Sequence, residues 1–126
     1  MPSASFAQPS AFAELGFAKG VLTVRPFGPT IGEREAAILA PELKAAMSRT
    51  GADLRVLVID LSHVRVISSM GLALLIDLRA RGREVRARTI LCGLSRELRA
   101  LLRLTKVDRL YTIARTESDV DRLTAA

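Results

Sequence analysis

The feature that most constrains the fold is the apolar run at residues 56–59, in which Val, Leu, Val and Ile follow one another without a polar break. A strand with one face in water alternates apolar and polar side chains, whereas this run is apolar at every position. It therefore predicts a strand covered on both faces, as in the centre of a parallel sheet. Because parallel strands need long crossovers, helices are expected between the strands.

The rest of the chain supplies the other elements of such a sheet. Apolar patterns predict strands at residues 20–27, 54–61, 84–93 and 109–114, and helical spacing predicts helices at 33–49, at 70–80, after Ser95 and after Thr116. Pro41 leaves two readings of the first helix, a kink or a start near Ala40. Gly82 is expected to end the second helix. The alternation of strand and helix predicts an α/β domain with a largely parallel sheet.

Length and composition predict one domain in a reducing compartment. The chain has 126 residues, 49% of them hydrophobic, and a single cysteine, so neither an internal disulfide nor a cysteine-rich metal cluster is expected. No run reaches the roughly 18 apolar residues of a membrane span, and the first residues do not resemble a secretion signal. We therefore expect a cytoplasmic protein with a flexible tail at 1–17 and a folded domain at 18–126.

The net charge of +6 is concentrated in one part of the chain. Residues 79–109 hold ten Lys or Arg and three Asp or Glu, which gives +7 for this segment. A basic face of this kind suits an acidic protein, an anionic lipid surface or nucleic acid, and a solvated surface without a partner explains it equally well. Only five aromatic residues are present, one Tyr and four Phe, so nucleic acid is not an expected partner.

The sequence offers little for catalysis. Its single histidine, His63, lies in the turn after the apolar strand and is predicted to be a solvated turn residue. No phosphate-binding loop, dinucleotide-binding turn or nucleophile elbow occurs. The chain is therefore predicted to be no enzyme and to carry no cofactor or metal ion of its own.

Ser68 and Ser69 directly precede the predicted second helix. A serine there caps the helix by accepting a hydrogen bond from a free backbone N–H. The same position also tolerates a phosphate, because the start of a helix carries a partial positive charge of about +0.5 and unpaired N–H donors. From the residues alone, the serines are either caps or an acceptor of phosphate.

The stretch VLVIDLSHVRVISSMGLALLIDL, at residues 56–78, resembles the signature of the STAS domain, the fold of anti-sigma-factor antagonists. In that family an apolar strand ends in Asp-Leu-Ser, and Ser-Ser-x-Gly-Leu or Asp-Ser-x-Gly-Leu opens the second helix. The likeness extends over about residues 18–124. It implies a STAS fold, with a single mostly parallel or mixed sheet of four to five strands and about four helices.

The resemblance also implies a function. The family's serine two positions before the glycine of the helix start is phosphorylated by a partner serine kinase that doubles as an anti-sigma factor and binds the ATP. Gly71 matches that glycine, so Ser69 is the implied phosphorylation site, and Ser68 stands where many members have aspartate. The implied docking surface comprises Thr30, Ser68, Ser69, Met70 and Gly71.

In the implied phospho-switch, the unmodified chain binds the anti-sigma factor and regulates transcription, and phosphorylation releases it. A phosphatase is a further partner that such a switch admits. The alternative implied by the same resemblance is an unphosphorylated scaffold subunit of a signalling complex or of a lipid ABC transporter. The sequence leaves open whether the protein is a monomer or a weak homodimer.

Overall fold

The computed structural model describes residues 5–125. Its strands are β1 (Phe6–Gln8), β2 (Ala13–Ala18), β3 (Val21–Pro26), β4 (Thr30–Ile31), β5 (Val56–Asp60), β6 (Val66–Ile67), β7 (Arg88–Cys92) and β8 (Thr112–Ile113). Its helices are α1 (Glu33–Thr50), α2 (Ser69–Glu84), α3 (Arg96–Leu104) and α4 (Glu117–Thr124), with short 3-10 turns at Gly51–Asp53 and Val107–Leu110.

Six strands form the main sheet in the order β1, β2, β3, β5, β7, β8. The neighbours β3, β5, β7 and β8 are parallel, whereas β1 and β2 add an antiparallel edge beside β3. The predicted α/β class and mixed, mostly parallel sheet are confirmed, with six strands where four to five were expected. β4 and β6 form a separate two-stranded parallel ladder.

β5 is covered on both faces, as its uninterrupted apolar run predicted. Leu57 and Ile59 pack on one side in a core with side chains of α1, α2 and α3. Val56 and Val58 pack on the other side in a smaller core, to which α4 contributes partly buried side chains. Three helices therefore cover one face of the sheet, and one short helix covers the centre of the other.

The amino-terminal segment differs from the predicted tail at residues 1–17. β2 pairs with β3 over six residues, and its side chains at Ala13, Leu15 and Phe17 are buried. Residues 6–8 then pair with β2. Alanine and glycine obscure the alternation of apolar and polar residues in this segment, so the sequence did not predict a strand. The segment forms one because the edge of β3 offers backbone groups for hydrogen bonding. Residues 1–4 of the predicted tail lie outside the described residues.

Two helix boundaries also differ from expectation. α1 runs continuously through Pro41, so it does not begin near Ala40. α2 continues past Gly82 to Glu84, because this glycine is not a stop but a point of close packing. A Cβ on Gly82 would lie 2.8 Å from Cγ2 of Thr89 on the neighbouring strand. The predicted caps at Ser95 and Thr116 are confirmed, since each hydroxyl accepts a hydrogen bond from the third residue after it.

The strands at the far edge are shorter than predicted. β7 begins only at Arg88, because Arg86 adopts a positive φ of 61° in a turn after α2. The predicted strand at 109–114 is a 3-10 turn followed by the two residues of β8. Between them, the buried Tyr111 hydroxyl donates a hydrogen bond to the Leu75 carbonyl at 2.6 Å. Within residues 5–125, no helix has both the length and the apolarity needed to cross a bilayer.

Candidate functional site

The start of α2 sits on a small platform built from two loops. In the parallel ladder of β4 and β6, Thr30 pairs with Val66 and Ile31 pairs with Ile67. Because side chains alternate along a strand, Ile31 and Ile67 point inward and are buried, while Thr30 and Val66 are exposed. The Ser68 N–H donates to the Ile31 carbonyl at 2.9 Å, which ties the beginning of α2 to the platform.

The loop before β4 is locked against the loop before β6. Gly28 has a positive φ of 68°, and a Cβ there would collide with the His63 carbonyl oxygen. Pro29 follows Gly28, and its carbonyl accepts hydrogen bonds from the N–H groups of Arg65 and Val66, at 2.7 and 3.1 Å. The predicted docking residue Thr30 is therefore held beside the start of α2 by backbone contacts.

The two serines have different structural roles. Ser68 is the N-cap of α2, and its half-buried Oγ accepts a hydrogen bond from the Gly71 N–H at 3.2 Å. Ser69 is the first helical residue and is exposed, and its hydroxyl makes no hydrogen bond to the described part of the chain. Of the two candidate hydroxyls, one is occupied in capping and the other is free.

Gly71 explains why the helix can start so close to the platform. It is buried, and a Cβ on it would lie 2.6 Å from Cγ2 of Ile67 and 3.0 Å from the carbonyl oxygen of Ile31. Only hydrogen fits between the helix and the two loops. Gly71 thus contributes to the predicted docking surface by placing its neighbours, not by touching solvent.

The electrostatics at the start of α2 favour a negative group. The first turn of α2 contains no acidic residue, whereas α1 and α4 each carry two carboxylates in their first turns. In α1, for example, Glu35 accepts a hydrogen bond from the Gly32 N–H. The partial positive charge at the start of α2 is therefore not offset by a carboxylate of its first turn, and the Ser68 hydroxyl accepts from only one of the N–H groups there, that of Gly71.

Exposed apolar residues precede and follow Ser69 in the chain. Val66 is 57% exposed and Met70 is 49% exposed, so each presents about half of its apolar side chain to solvent. We call Thr30, Val66, Ser69 and Met70 the Ser69 surface. The predicted docking residues Thr30, Ser69 and Met70 are brought together on it, with Ser68 and Gly71 beneath, while Val66 was not singled out by the sequence.

A polar cleft of about 350 Å³ opens at the carboxyl ends of β5 and β7, and Ser69 does not line it. Within it, Asp60 accepts hydrogen bonds from Arg25 Nε at 3.0 Å and the Ser62 N–H at 2.9 Å. Burial acts to raise the pKa of Asp60, but these hydrogen bonds and the Arg25 charge outweigh it, so the pKa is lowered. The Asp-Leu-Ser motif in the sequence includes Asp60. No pattern in the sequence indicated that Arg25, which lies 35 residues earlier, would be its partner.

The residues that would suit catalysis are not assembled. His63 is exposed in the turn after β5, and the structure records no hydrogen bond between it and Ser69. Burial raises the pKa of the Cys92 thiol to about 11, which leaves it a protonated and weak nucleophile. No group of three or more metal-binding side chains occurs in residues 5–125.

Comparisons with known proteins agree with this architecture. The family model described as the STAS domain matches residues 13–120. A search of curated proteins gave no match.

Solved structures share the fold at low sequence identity. An anti-sigma-factor antagonist (STAS) domain protein from Planctomyces limnophilus is 24% identical, with 93% of this chain and 100% of that chain covered and a TM-score of 0.79. The anti-sigma factor antagonist SpoIIAA in its unphosphorylated form is 15% identical, with 98% and 100% covered and a TM-score of 0.67. Bacillus SpoIIAA in the phosphorylated form is 16% identical, with 95% and 99% covered and a TM-score of 0.65.

A membrane transporter also contains this fold. The murine anion transporter Slc26a9 is 15% identical, with a TM-score of 0.72 over 96% of this chain but only 22% of the transporter. The fold thus occurs in single-domain antagonists and as part of a larger protein. With the family model matching most of its length, the chain belongs to the STAS domain family.

Proposed function

We propose that this protein is an anti-sigma-factor antagonist that works as a phospho-switch, with Ser69 as the phosphate acceptor. The observation that carries the proposal is the exposed residue Ser69 at the first position of α2, whose hydroxyl makes no hydrogen bond within residues 5–125 and whose segment also exposes Val66 and Met70. A kinase can reach this hydroxyl without unfolding the helix. The likeness to SpoIIAA, solved in unphosphorylated and phosphorylated forms, supports the same function.

In the unmodified state, the Ser69 surface docks on an anti-sigma factor that is also a serine kinase. Val66 and Met70 are each about half exposed, so burying what remains of them contributes about 1 kcal/mol per side chain. This gain is modest, and the contact is therefore reversible. ATP belongs to the kinase, and the antagonist itself needs no cofactor and performs no catalysis.

Phosphorylation of Ser69 makes the binding free energy of this contact unfavourable. A phosphoserine carries a charge of about −1.5 to −2 at neutral pH. Burying such a charge against an apolar partner costs several kcal/mol, more than Val66 and Met70 together contribute. In the free protein, the same charge lies at the start of α2, where the helix dipole stabilises an anion by about 0.3–1 kcal/mol. The modification therefore releases the partner and leaves the fold intact, and a phosphatase would restore docking.

Serine at position 68, where many family members have aspartate, is compatible with this switch. Serine and aspartate are comparable N-cap residues, and the Ser68 hydroxyl caps Gly71. Without a neighbouring carboxylate, the incoming phosphate at Ser69 meets less repulsion. The replacement thus keeps the cap and alters only the local charge.

The test incubates the protein with ATP and a serine kinase of the anti-sigma-factor type, and maps the phosphate by mass spectrometry. We expect transfer to Ser69 in the parent and in Ser68→Ala, and none in Ser69→Ala. Ser68→Ala is the matched control, since it removes the neighbouring hydroxyl and leaves the acceptor. Transfer to Ser69→Ala at the parent rate would refute the site. Binding of the kinase by Ser69→Glu as tight as by the parent would refute the switch.

The second candidate is an unphosphorylated scaffold subunit of a larger assembly, for which the likeness to a part of the transporter Slc26a9 is the specific observation. In that role the domain binds its partner constantly, and Ser69 is only a surface residue. Co-purification with a transporter subunit, together with unchanged binding by Ser69→Glu, would favour the scaffold over the switch.

A further inference from the structure

A second charged surface lies on α3. Arg96, Arg99 and Arg103 are all exposed and follow one another at intervals of three and four residues, so they share one side of the helix. The opposite side carries Leu98 and Leu102, which are fully buried in the core. The three guanidinium groups are therefore fixed on a rigid and well-anchored element.

None of these three arginines forms an ion pair with an acidic side chain within residues 5–125. The ion pairs formed by the described residues involve Arg25, Arg81 and Arg122, and none involves an arginine of α3. Like charges three or four residues apart on a helix destabilise it by about 0.2–0.5 kcal/mol per pair. This row thus costs stability in the free protein, a cost that a partner with negative charge would remove.

A small groove beside α3 adds a second, independent feature. Arg99 and Arg103 line it together with Arg115, which comes from the segment after β8. Its other lining side chains are apolar apart from one carboxylate: Leu94, Leu102, Ile113 and Asp108. Three arginines from two segments of the chain therefore line one groove, together with three apolar residues and one carboxylate. Guanidinium groups bind carboxylates with paired hydrogen bonds, which gives them direction as well as charge.

We propose that the α3 surface, formed by Arg96, Arg99, Arg103 and Arg115, docks an acidic helical segment of a protein partner. Carboxylates spaced one turn apart would meet the arginine row, and an apolar side chain would enter the groove. A phosphodiester backbone has no such side chain, and this surface presents no aromatic ring for stacking bases. Leu104, which is 81% exposed, is the only large apolar side chain standing out from α3, too little for stable membrane attachment.

The experiment measures fluorescence anisotropy with a labelled synthetic helical peptide that carries Glu at i, i+3 and i+7 with leucines between them. The test variant is Arg96→Gln/Arg99→Gln/Arg103→Gln. The control variant, Arg34→Gln/Lys44→Gln/Arg86→Gln, removes three exposed charges from other elements and has the same net charge. We expect the test variant to bind the peptide about tenfold more weakly, and the control variant to bind within about twofold of the parent.

Two further comparisons make the test specific. A peptide with Gln in place of Glu should lose binding. The variant Arg96→Lys/Arg99→Lys/Arg103→Lys should show an intermediate affinity, because lysine keeps the positive charge but lacks the planar guanidinium group that donates two parallel hydrogen bonds to a carboxylate. Equal losses in the test and control variants would overturn the proposal, since net charge alone would then explain binding. Tighter binding to oligothymidine or to vesicles of phosphatidylcholine and phosphatidylserine would also overturn it. Thermal unfolding of each variant verifies the fold.

Discussion

Replacing Gly71 by alanine tests whether the start of α2 is packed as closely as the structure indicates. The added Cβ would lie 2.6 Å from Cγ2 of Ile67 and 3.0 Å from the carbonyl oxygen of Ile31. A β-branched buried side chain and a backbone carbonyl yield little, so the helix or the platform must move. Overpacking of this kind costs about 1–3 kcal/mol.

A gain in helix propensity offsets part of that cost. Alanine is more favourable than glycine in a helix by about 1 kcal/mol in the interior and by less at the first turn. We therefore expect Gly71→Ala to lower the free energy of unfolding by about 1–2 kcal/mol. For a domain of this size, the melting temperature should fall by about 4–8 °C.

The assay is urea unfolding followed by circular dichroism, with Gly82→Ala as the matched control. Gly82 is also a closely packed, buried glycine of α2, but its added Cβ would come no nearer than 3.9 Å to a backbone atom outside the helix, and its one tight contact, at 2.8 Å, is with the half-buried side chain of Thr89. We expect the control to lie within about 1 kcal/mol of the parent. If Gly71→Ala were as stable as the parent, or if both variants lost the same stability, the close-packing argument would be refuted.

Three further measurements test the local chemistry. Ser68→Ala should lower the free energy of unfolding by about 1 kcal/mol because it removes a helix cap, whereas Ser69→Ala should change it by less than about 0.5 kcal/mol, and equal effects in urea unfolding would contradict the assigned roles. The pKa of Asp60 is lower in the folded protein than its ordinary value of 3.8, so its contribution to stability is present above that value and is lost as the pH falls below it. In Asp60→Asn, the free energy of unfolding should therefore fall less steeply as the pH is lowered below about 4. The same pH dependence as in the parent would contradict this. Tyr111→Phe should cost about 1–2 kcal/mol because the Leu75 carbonyl loses a buried hydrogen bond, and an unchanged melting temperature would show that bond to be dispensable.

Local patterns made much of the fold predictable. The apolar run of β5 indicated burial on both faces, and Ser95 and Thr116 marked the starts of α3 and α4. Signals of this kind lie within a few residues of the feature that they predict. The amino-terminal strands were not predicted, because the alternation of apolar and polar residues in β2 is weak and this strand is stabilised by its pairing with β3.

For the candidate site, the amino-acid sequence shows which groups are available: two adjacent serines, a glycine two residues after the second, and no catalytic motif. It could not assign different roles to Ser68 and Ser69, because a hydroxyl's role depends on which N–H groups lie within reach. The folded structure was needed to establish that Ser68 caps the helix, that Ser69 is exposed, and that Thr30 and Val66 pair in the ladder that precedes the helix. The β4–β6 ladder joins segments about 36 residues apart, and contacts between segments so distant in sequence arise only when the chain folds.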